Sequence, residues 1–554
     1  MRGGQVLMEG LIAHGTDCIF GNPGTTENSL LDRLIDYPQI TYYVALHEGI
    51  AVGAANYYAQ ASGKTGIVNL HVAPGLGNAI GMMYGALKAH SPIIVTAGQQ
   101  DTRMRLRDPI LGHDLVSMAS PVTKWSAQPV SPDEIGPLVR RAFKIANDPP
   151  RGPVFLALPV DILEGETSVK AETTGKIMAV NAAEPDGIST LVQLILKSKS
   201  PAIVVGDDVA IDGGHAPLIT LAEETGSAVF SQGLHVHSAF PNQHAQFIQR
   251  LPFEAANINK LLSPFDLVIL LGGPFFEEIW FDNSPFIAST SKVVQIESSH
   301  QRLGSNLKLD LGLIGNLGAT ILETCKKIDE VKDKRFVNDA SFRREEFSEN
   351  KLNQKDRLRE RLTANINASP MTPANAINAI QESIPDETII VDESITASLE
   401  VGMQMGLDKP GDFFGAAGGG IGQGIAGAIG VQVAQPERKV LALTGDGSAM
   451  YSIQAFWTAA HHNLPIVFIV LSNREYRILK HNIDIYRTRY DAPSNKPYPH
   501  MDLTQPLIDF RRLAEGMGLN SESIEELADI PAAIDKAFRS GSPYLIEILV
   551  SGKR

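Results

Sequence analysis

The chain has 554 residues, 44% of them hydrophobic and 20% charged, with a net charge of −14. That length exceeds one ordinary core, so several domains are expected, and the acidic balance argues against nucleic acid or an anionic membrane as partner. Two cysteines, Cys18 and Cys325, exclude a disulfide framework or a CxxC centre. Acidic and histidine side chains enter "MRGGQVLMEGLIAHGTDCIF" too early for a signal core, and no apolar run approaches the roughly 18 residues of a membrane span; the expectation is a soluble cytoplasmic protein.

Along residues 4–170 the pattern alternates. "QVLMEGLIAHG" has helical spacing, whereas "CIFGNPG", "GIVNLHVAPG" and "PIIVTAG" are short apolar strands ending in glycine turns. Helices between strands imply βαβ units and a parallel sheet. "DPPRGPVFLALPVDIL" closes this block and "SVKAETTGKIMAVNAAEPDG" reads as a linker. A second α/β block carries "AIVVGDD", "AVFSQG", "LVILLGG" and "KVVQIES"; the charge-dense run from Cys325 to about Ala368 reads as a solvated helix or connector. A third block, from Thr372, returns to βαβ with "TIIVDES", "VLALTGDG", "IVFIVLSN" and "YLIEILV". Gly75–Gly98 and Gly445–Asn473 echo one another, each running from a glycine-rich turn through a helix of small residues to a proline-led strand.

Forty-nine glycines exceed the average usage of about 7%, and they cluster in loops, which favours close approach of backbone to a ligand. "GQGIAG" (Gly422, Gly424, Gly427) matches the dinucleotide fingerprint, with Asp446 as its acidic partner, but the preceding "FFGAAGGGI" is a poor strand. A different reading takes "GDG" as its centre. Gly445 and Gly447 leave the backbone around Asp446 open to a diphosphate, and a helix N-terminus follows. Asp446 and Asn473, each ending a strand, are either unrelated turn residues or two hard oxygen ligands of a cation such as Mg²⁺.

Taken with "CIFGNPGTTE", "ALHEGIAVGAANYYAQASGK", "NLHVAPGLGNAIG", "HSPIIVTAGQQ", "VDESIT" and "AAGGGIGQGIAGAIGVQVAQPER", the GDG…Asn pattern resembles the thiamine-diphosphate-dependent 2-oxo acid decarboxylases, most nearly the benzoylformate decarboxylases, over almost the whole chain. The resemblance implies three doubly wound α/β domains with parallel sheets. These are a pyrimidine-binding domain over 1–180, a central domain over 187–328 and a diphosphate-binding domain over 371–554, with a charged linker over 329–370 before the last. It also implies a homotetramer with active sites at dimer interfaces, acting on a small 2-oxo acid or aldehyde.

The resemblance further implies roles for individual residues. Glu48 is similar to the glutamate that activates the cofactor through its pyrimidine ring. Ile421 is similar to the apolar wedge between the two cofactor rings. Asp446, Asn473 and the carbonyl of Glu475 resemble the set that holds Mg²⁺ (or Ca²⁺ in its place); the family pairs two asparagines, whereas this chain has Ser472–Asn473. Ser394, Thr396, Gly445, Gly447, Ser448, Tyr451 and Tyr476 stand where cofactor contacts are expected, and Asn78 lies in a matched loop. His71 resembles the first catalytic histidine, and Thr25 occupies the position of a carboxylate-binding serine. The second histidine of the family falls on Ile279, so one acid–base group is missing. Glu277 and Glu278 are neighbours of that position, and His113 is a further candidate without a matched column. The implied reaction is non-oxidative decarboxylation of an aromatic 2-oxo acid. The alternative is a carboligase or lyase similar to benzaldehyde lyase or acetolactate synthase, favoured by the missing proton donor. A non-catalytic homologue would not be expected to keep Glu48, Asp446 and Asn473 together. Whether a flavin or nucleotide binds the central block is left open by the residues.

Overall fold

A computed structural model describes residues 1–175, 180–492 and 494–552. The linker expected between Ser168 and Gly187 lies partly outside the described residues. The described segments form three parallel six-stranded sheets flanked by helices, the three α/β domains expected from the sequence. In the first, Thr41–Val44, Cys18–Asn22, Gly66–Leu70, Ile93–Gln99, Val154–Pro159 and Trp125–Ala127 lie side by side in that order. In the third the order is Phe413–Gly415, Ile389–Glu393, Val440–Gly445, Ile466–Ser472, Tyr544–Leu549 and Asn520–Ile524. Ranked by sequence within each sheet, both run 2-1-3-4-6-5. The echo between Gly75–Gly98 and Gly445–Asn473 therefore reflects two copies of one topology.

The second sheet runs from Phe247–Arg250 through Ala228–Ser231, Pro201–Val205, Leu267–Leu271 and Lys292–Glu297 to Leu311–Ile314. That is the 3-2-1-4-5-6 order of dinucleotide-binding folds. The GQGIAG fingerprint is not part of it; it belongs to the third sheet's domain, where Gly422 caps the helix Gln423–Ala434.

Central strands such as Ile93–Gln99 and Ile466–Ser472 are buried throughout. Their near-continuous apolar sequence follows from helices covering both faces of a parallel sheet. The middle sheet is sandwiched by two clusters, one around Ile203, Ile269 and Leu317 and the other around Val204, Phe230 and Leu270. The chain divides into two compact units, one formed by Met1–Ile177, Ala368–Ser398 and Ala416–Arg554, the other by Met178–Asn367 and Leu399–Gly415. Within the second unit the charged run is a 31-residue helix, Lys334–Ala364, capped by Asp333. Its first turns bury Phe336 and Ala340, and Arg343 donates to the carbonyls of Thr225 and Gly226. Phe347 packs against the core and Lys351 donates to the carbonyls of Asn242 and Phe247, so the helix is packed along one side to its middle and solvated beyond.

Within the first unit the helices Glu48–Ser62 and Gln423–Ala434 pack at close range, and glycine sets the distance. A methyl group added at Gly53 would lie 2.8 Å from the Ala426 Cβ, one at Gly427 2.6 Å from the Tyr57 ring, and one at Gly430 1.9 Å from the Ala54 carbonyl oxygen. The first of these helices begins at Glu48 and the second two residues after Ile421. Gly430→Ala is expected to lower stability by about 1–3 kcal/mol through overpacking, read by chemical denaturation. Gly516→Ala, whose added methyl meets nothing within 4 Å, should change stability by no more than about 0.5 kcal/mol.

Candidate active site

Both duplicated sheets gather polar groups at the carboxyl ends of their strands, where strand order reverses and ligands bind in open α/β sheets. On the first sheet, Glu48 opens its helix just after the strand Thr41–Val44. Its carboxylate is buried and held on both oxygens: Asn22 Nδ2 donates to Oε1 at 3.1 Å and Asn78 Nδ2 to Oε2 at 3.0 Å. The helix N-terminus favours its negative charge. His47 caps the same turn by accepting the Gly49 amide on Nδ1.

His71 ends the strand Gly66–Leu70 and faces a carboxylate that sequence reasoning passed over. His71 Nδ1 lies 2.9 Å from Glu27 Oε2. Glu27 is buried, and its oxygens also accept the amides of Gly24 (2.9 Å) and Gly98 (2.8 Å) and the hydroxyl of Thr26 (2.8 Å). An acceptor-only carboxylate requires the proton on Nδ1, which leaves Nε2 as the working nitrogen. Gly24 is needed for this contact, since a Cβ there would lie 2.2 Å from His71 Nδ1. Thr25 is exposed beside this group, while Thr26 is the threonine that touches the ring, at 3.4 Å. The clue was already in the "GNPGTTE" motif, whose last residue is Glu27. Its partners Gly98 and His71 are too distant in sequence for any local pattern to link them.

On the third sheet, the parallel strands Val440–Gly445 and Ile466–Ser472 pair Gly445 with Leu471, which brings Asp446 and Asn473 out on the same edge. Asp446 is buried, and burial pushes its carboxyl up to about 6. Its oxygens accept the amides of Gly447 (2.7 Å) and Arg474 (2.6 Å), while Asn473 Oδ1 accepts the Glu475 amide at 3.1 Å. A carboxylate offers about four lone-pair sites, so these amides do not exhaust its capacity for a cation. No cluster of three His, Cys, Asp or Glu side chains capable of holding a metal occurs among the described residues. A hard cation held by one carboxylate, one amide oxygen, a carbonyl and diphosphate oxygens requires none, and this donor set fits it. Ser448 is buried in the same turn, a Cβ at Gly445 would make only ordinary contacts with Ser394 O (3.9 Å) and Ser448 Oγ (4.0 Å), and a Cβ at Gly447 would strike the Tyr476 ring at 2.5 Å. Ser394 closes a turn by donating its hydroxyl to Asp392 at 2.6 Å, and Thr396 follows it, half-buried.

Ile421 sits in the loop between these elements, 38% exposed. The amides of Gly422, Gln423 and Gly424 that follow it donate to the buried Glu393 at 2.8, 3.0 and 3.0 Å. The donors that a dinucleotide's pyrophosphate would need are therefore consumed internally, which disposes of the fingerprint reading of GQGIAG. Tyr451 is exposed, its Cβ 2.8 Å from where a Cβ on Gly422 would stand. His113 is exposed, and its carbonyl accepts Gln99 Nε2 at 2.8 Å and the Leu115 amide at 3.0 Å. Ile279 belongs to the other unit and is 61% exposed. Among the described residues no hydrogen bond joins the Glu48 group to the Asp446 group.

Two topologically equivalent sheets thus each bring a buried carboxylate to a carboxyl edge, a glutamate on one and a glycine-flanked aspartate on the other. The chain belongs to the thiamine pyrophosphate enzyme family. Residues 1–118 match its N-terminal TPP-binding domain, 188–324 its central domain and 394–548 its C-terminal TPP-binding domain. A benzoylformate decarboxylase of Pseudomonas aeruginosa is 30% identical over 97% of this chain and 96% of its own. The acetolactate synthase isozyme 3 large subunit of Escherichia coli is 23% identical over 100% and 95%. The solved structure of a thiamine diphosphate-dependent 4-hydroxybenzoylformate decarboxylase from Rhodococcus jostii superposes with a TM-score of 0.86 at 26% identity, covering 100% of this chain and 99% of that one.

Two outcomes test the geometry. Glu27→Gln faces His71 with a group that both donates and accepts. Nitrogen NMR of the ring should then lose the single Nδ1–H tautomer, and turnover should fall by about 10²–10⁴-fold. Asp446→Ala removes the only carboxylate of the proposed cation set, and calorimetric titration should show thiamine diphosphate with Mg²⁺ binding lost at concentrations that saturate the wild type. Wild-type affinity in that variant would sink the metal reading of the GDG turn.

Proposed function

We propose that this protein is a thiamine-diphosphate- and Mg²⁺-dependent carboxy-lyase that converts an aromatic 2-oxo acid of the benzoylformate class to the aldehyde and CO₂. The observation that carries the substrate side is His71, oriented by buried Glu27 beside Thr25, on the same sheet edge as Glu48. The named activities of two of the relatives, benzoylformate and 4-hydroxybenzoylformate decarboxylation, support the substrate class. Asp446, Asn473 and the Glu475 carbonyl would hold the cation (Mg²⁺, or Ca²⁺ in its place). Ser394, Thr396, Gly445, Gly447, Ser448, Tyr451 and Tyr476 would surround the diphosphate, and Ile421 and Asn78 would meet the rings. Thiamine diphosphate, when bound, supplies the nucleophilic carbon and the sink for the electrons that CO₂ leaves behind.

The residues do the rest. Glu48, fixed by Asn22 and Asn78, would hold its carboxylate against the pyrimidine ring of a bound cofactor as the group that keeps or releases a proton there. Thr25 orients the substrate carboxylate, and His71 Nε2 holds or delivers a proton at the reacting carbon's oxygen. We assign the pyrimidine-binding, central and diphosphate-binding roles to 1–180, 187–328 and 371–554, with 329–370 as the connection. We further assign a cytoplasmic homotetramer whose sites are completed across dimer interfaces. Separate Glu48 and Asp446 groups within one chain support that assignment, and no helix among the described residues is long and apolar enough to cross a membrane.

Ile279 favours a second reading, carboligation. An apolar, exposed side chain where a proton donor is expected leaves the last protonation slow and gives a second carbonyl compound time to react. CO₂ release from a panel of aryl, branched and linear 2-oxo acids tests the first reading, and silence of the holoenzyme on every aryl substrate would sink it. Product partitioning tests the second. Ile279→His should raise aldehyde release and cut the hydroxyketone yield, with a rate gain bounded by the roughly 10²–10⁴-fold of a positioned acid–base group.

A further inference from the structure

We infer that Glu393 is a positioning residue whose carboxylate fixes the backbone on either side of Ile421 and so sets the wedge that bends the cofactor into its reactive shape; this rests on the thiamine-diphosphate reading above. The loop that carries Ile421 has glycine at 418, 419, 420, 422 and 424, and Gly418, Gly419 and Gly422 all take positive φ. Glycine loses more conformational freedom on ordering than any other residue, so such a loop does not hold an isoleucine still without outside anchors. Two anchors are present. Glu393 accepts the Gly422 and Gln423 amides on Oε1 and the Gly424 amide on Oε2. From the opposite side, Gln423 Nε2 donates to the carbonyls of Ala417 and Gly420, each at 2.8 Å. Gly420 O belongs to the peptide before Ile421 and Gly422 N to the peptide after it, so both planes that define the Ile421 backbone are held.

The side chain then projects out of the loop, and its 38% exposure means that packing within the chain does not account for an isoleucine there. Glu393 itself is fully desolvated without a cationic partner in hydrogen-bond contact among the described residues, an arrangement that is costly unless its hydrogen bonds are needed. Burial pushes its carboxyl up to about 7. Its position at the end of the strand Ile389–Glu393, one residue before Ser394, ties the wedge to the diphosphate turn.

The test is Glu393→Gln in the full chain loaded with thiamine diphosphate and Mg²⁺. Glutamine still accepts on one atom but presents a donor to the Gly424 amide. Exchange of the cofactor's C2 proton should slow by about 10²-fold, as expected for a misplacement near 1 Å, while calorimetric cofactor affinity stays near the wild-type value. Amide hydrogen exchange over 417–424 should quicken. In a double-mutant cycle with Ile421→Ala, the pair should exchange no more slowly than Ile421→Ala alone, because Glu393 acts through that side chain. Wild-type C2 exchange in Glu393→Gln, or additive losses in the cycle, overturns the inference. A wild-type protein that neither binds the cofactor nor exchanges C2–H instead overturns the reading beneath it. Should Glu393→Gln fail to fold, Gln423→Met removes the carbonyl half of the clamp and must slow C2 exchange in the same way, or the inference fails.

Discussion

Buried carboxylates at strand ends are the constraint from which the rest of this structure follows. Glu27, Glu48, Glu393 and Asp446 are each at most 8% exposed, and an unpaired charge at such depth is untenable. Each is stabilised by N–H donors aimed at it: a ring and two amides for Glu27, two asparagines for Glu48, three consecutive amides for Glu393 and two amides for Asp446. Parallel sheets supply such donors at one place, the carboxyl edge, where strands turn into helices and N–H groups are left without intrahelical partners. The glycines and asparagines of the loops are there to let backbone and side chain converge on these four groups.

The duplicated 2-1-3-4-6-5 topology divides the work between two equivalent edges. After the third-ranked strand, one sheet places His71 and the other Asp446; after the first-ranked strand, one places Thr25 and the other Ser394. In the proposed function the same scaffold position would serve proton handling in one copy and anion and cation handling in the other. The middle sheet, ordered 3-2-1-4-5-6, is built differently. At its own strand ends Arg302 reaches both Asp208 and Glu297, so its edge is cross-linked by an internal ion triad.

Most of this scaffold was legible before any coordinates. The central strands are runs of β-branched residues between glycine turns, and they fold where the pattern placed them; Asp446 and Asn473 meet because adjacent parallel strands end together. The shared topology was not legible, because it depends on edge strands. Trp125–Ala127 and Phe413–Gly415 are three residues long, and "NSESI" at Asn520–Ile524 is polar, which is how edges avoid pairing with other chains and why they carry little periodic signal. Glu27 and Glu393 escaped for another reason. Their partners lie dozens of residues away, and an isolated acid in sequence looks the same whether it is solvated or clamps a loop. The GQGIAG fingerprint misled in the opposite direction, since spacing alone does not say whether a helix N-terminus is free or already occupied by a glutamate.

The electrostatics of the third edge connect the fold to the proposed chemistry. Asp446 resists ionisation because of its burial, and an anionic diphosphate brought against it adds like charge, which disfavours both. Only a cation between them reverses the sign of that interaction. The groups that converge there, one carboxylate, one amide oxygen and the Glu475 backbone, are hard oxygen donors without imidazole or thiolate. In the proposed function that composition would favour an alkaline-earth ion over a transition metal. Under the proposed function, metal and cofactor would bind together. The GDG turn is then a half-site, energetically poor alone and completed by its ligand, whereas Glu48 and His71 on the other sheet are preset and need only hold their orientation.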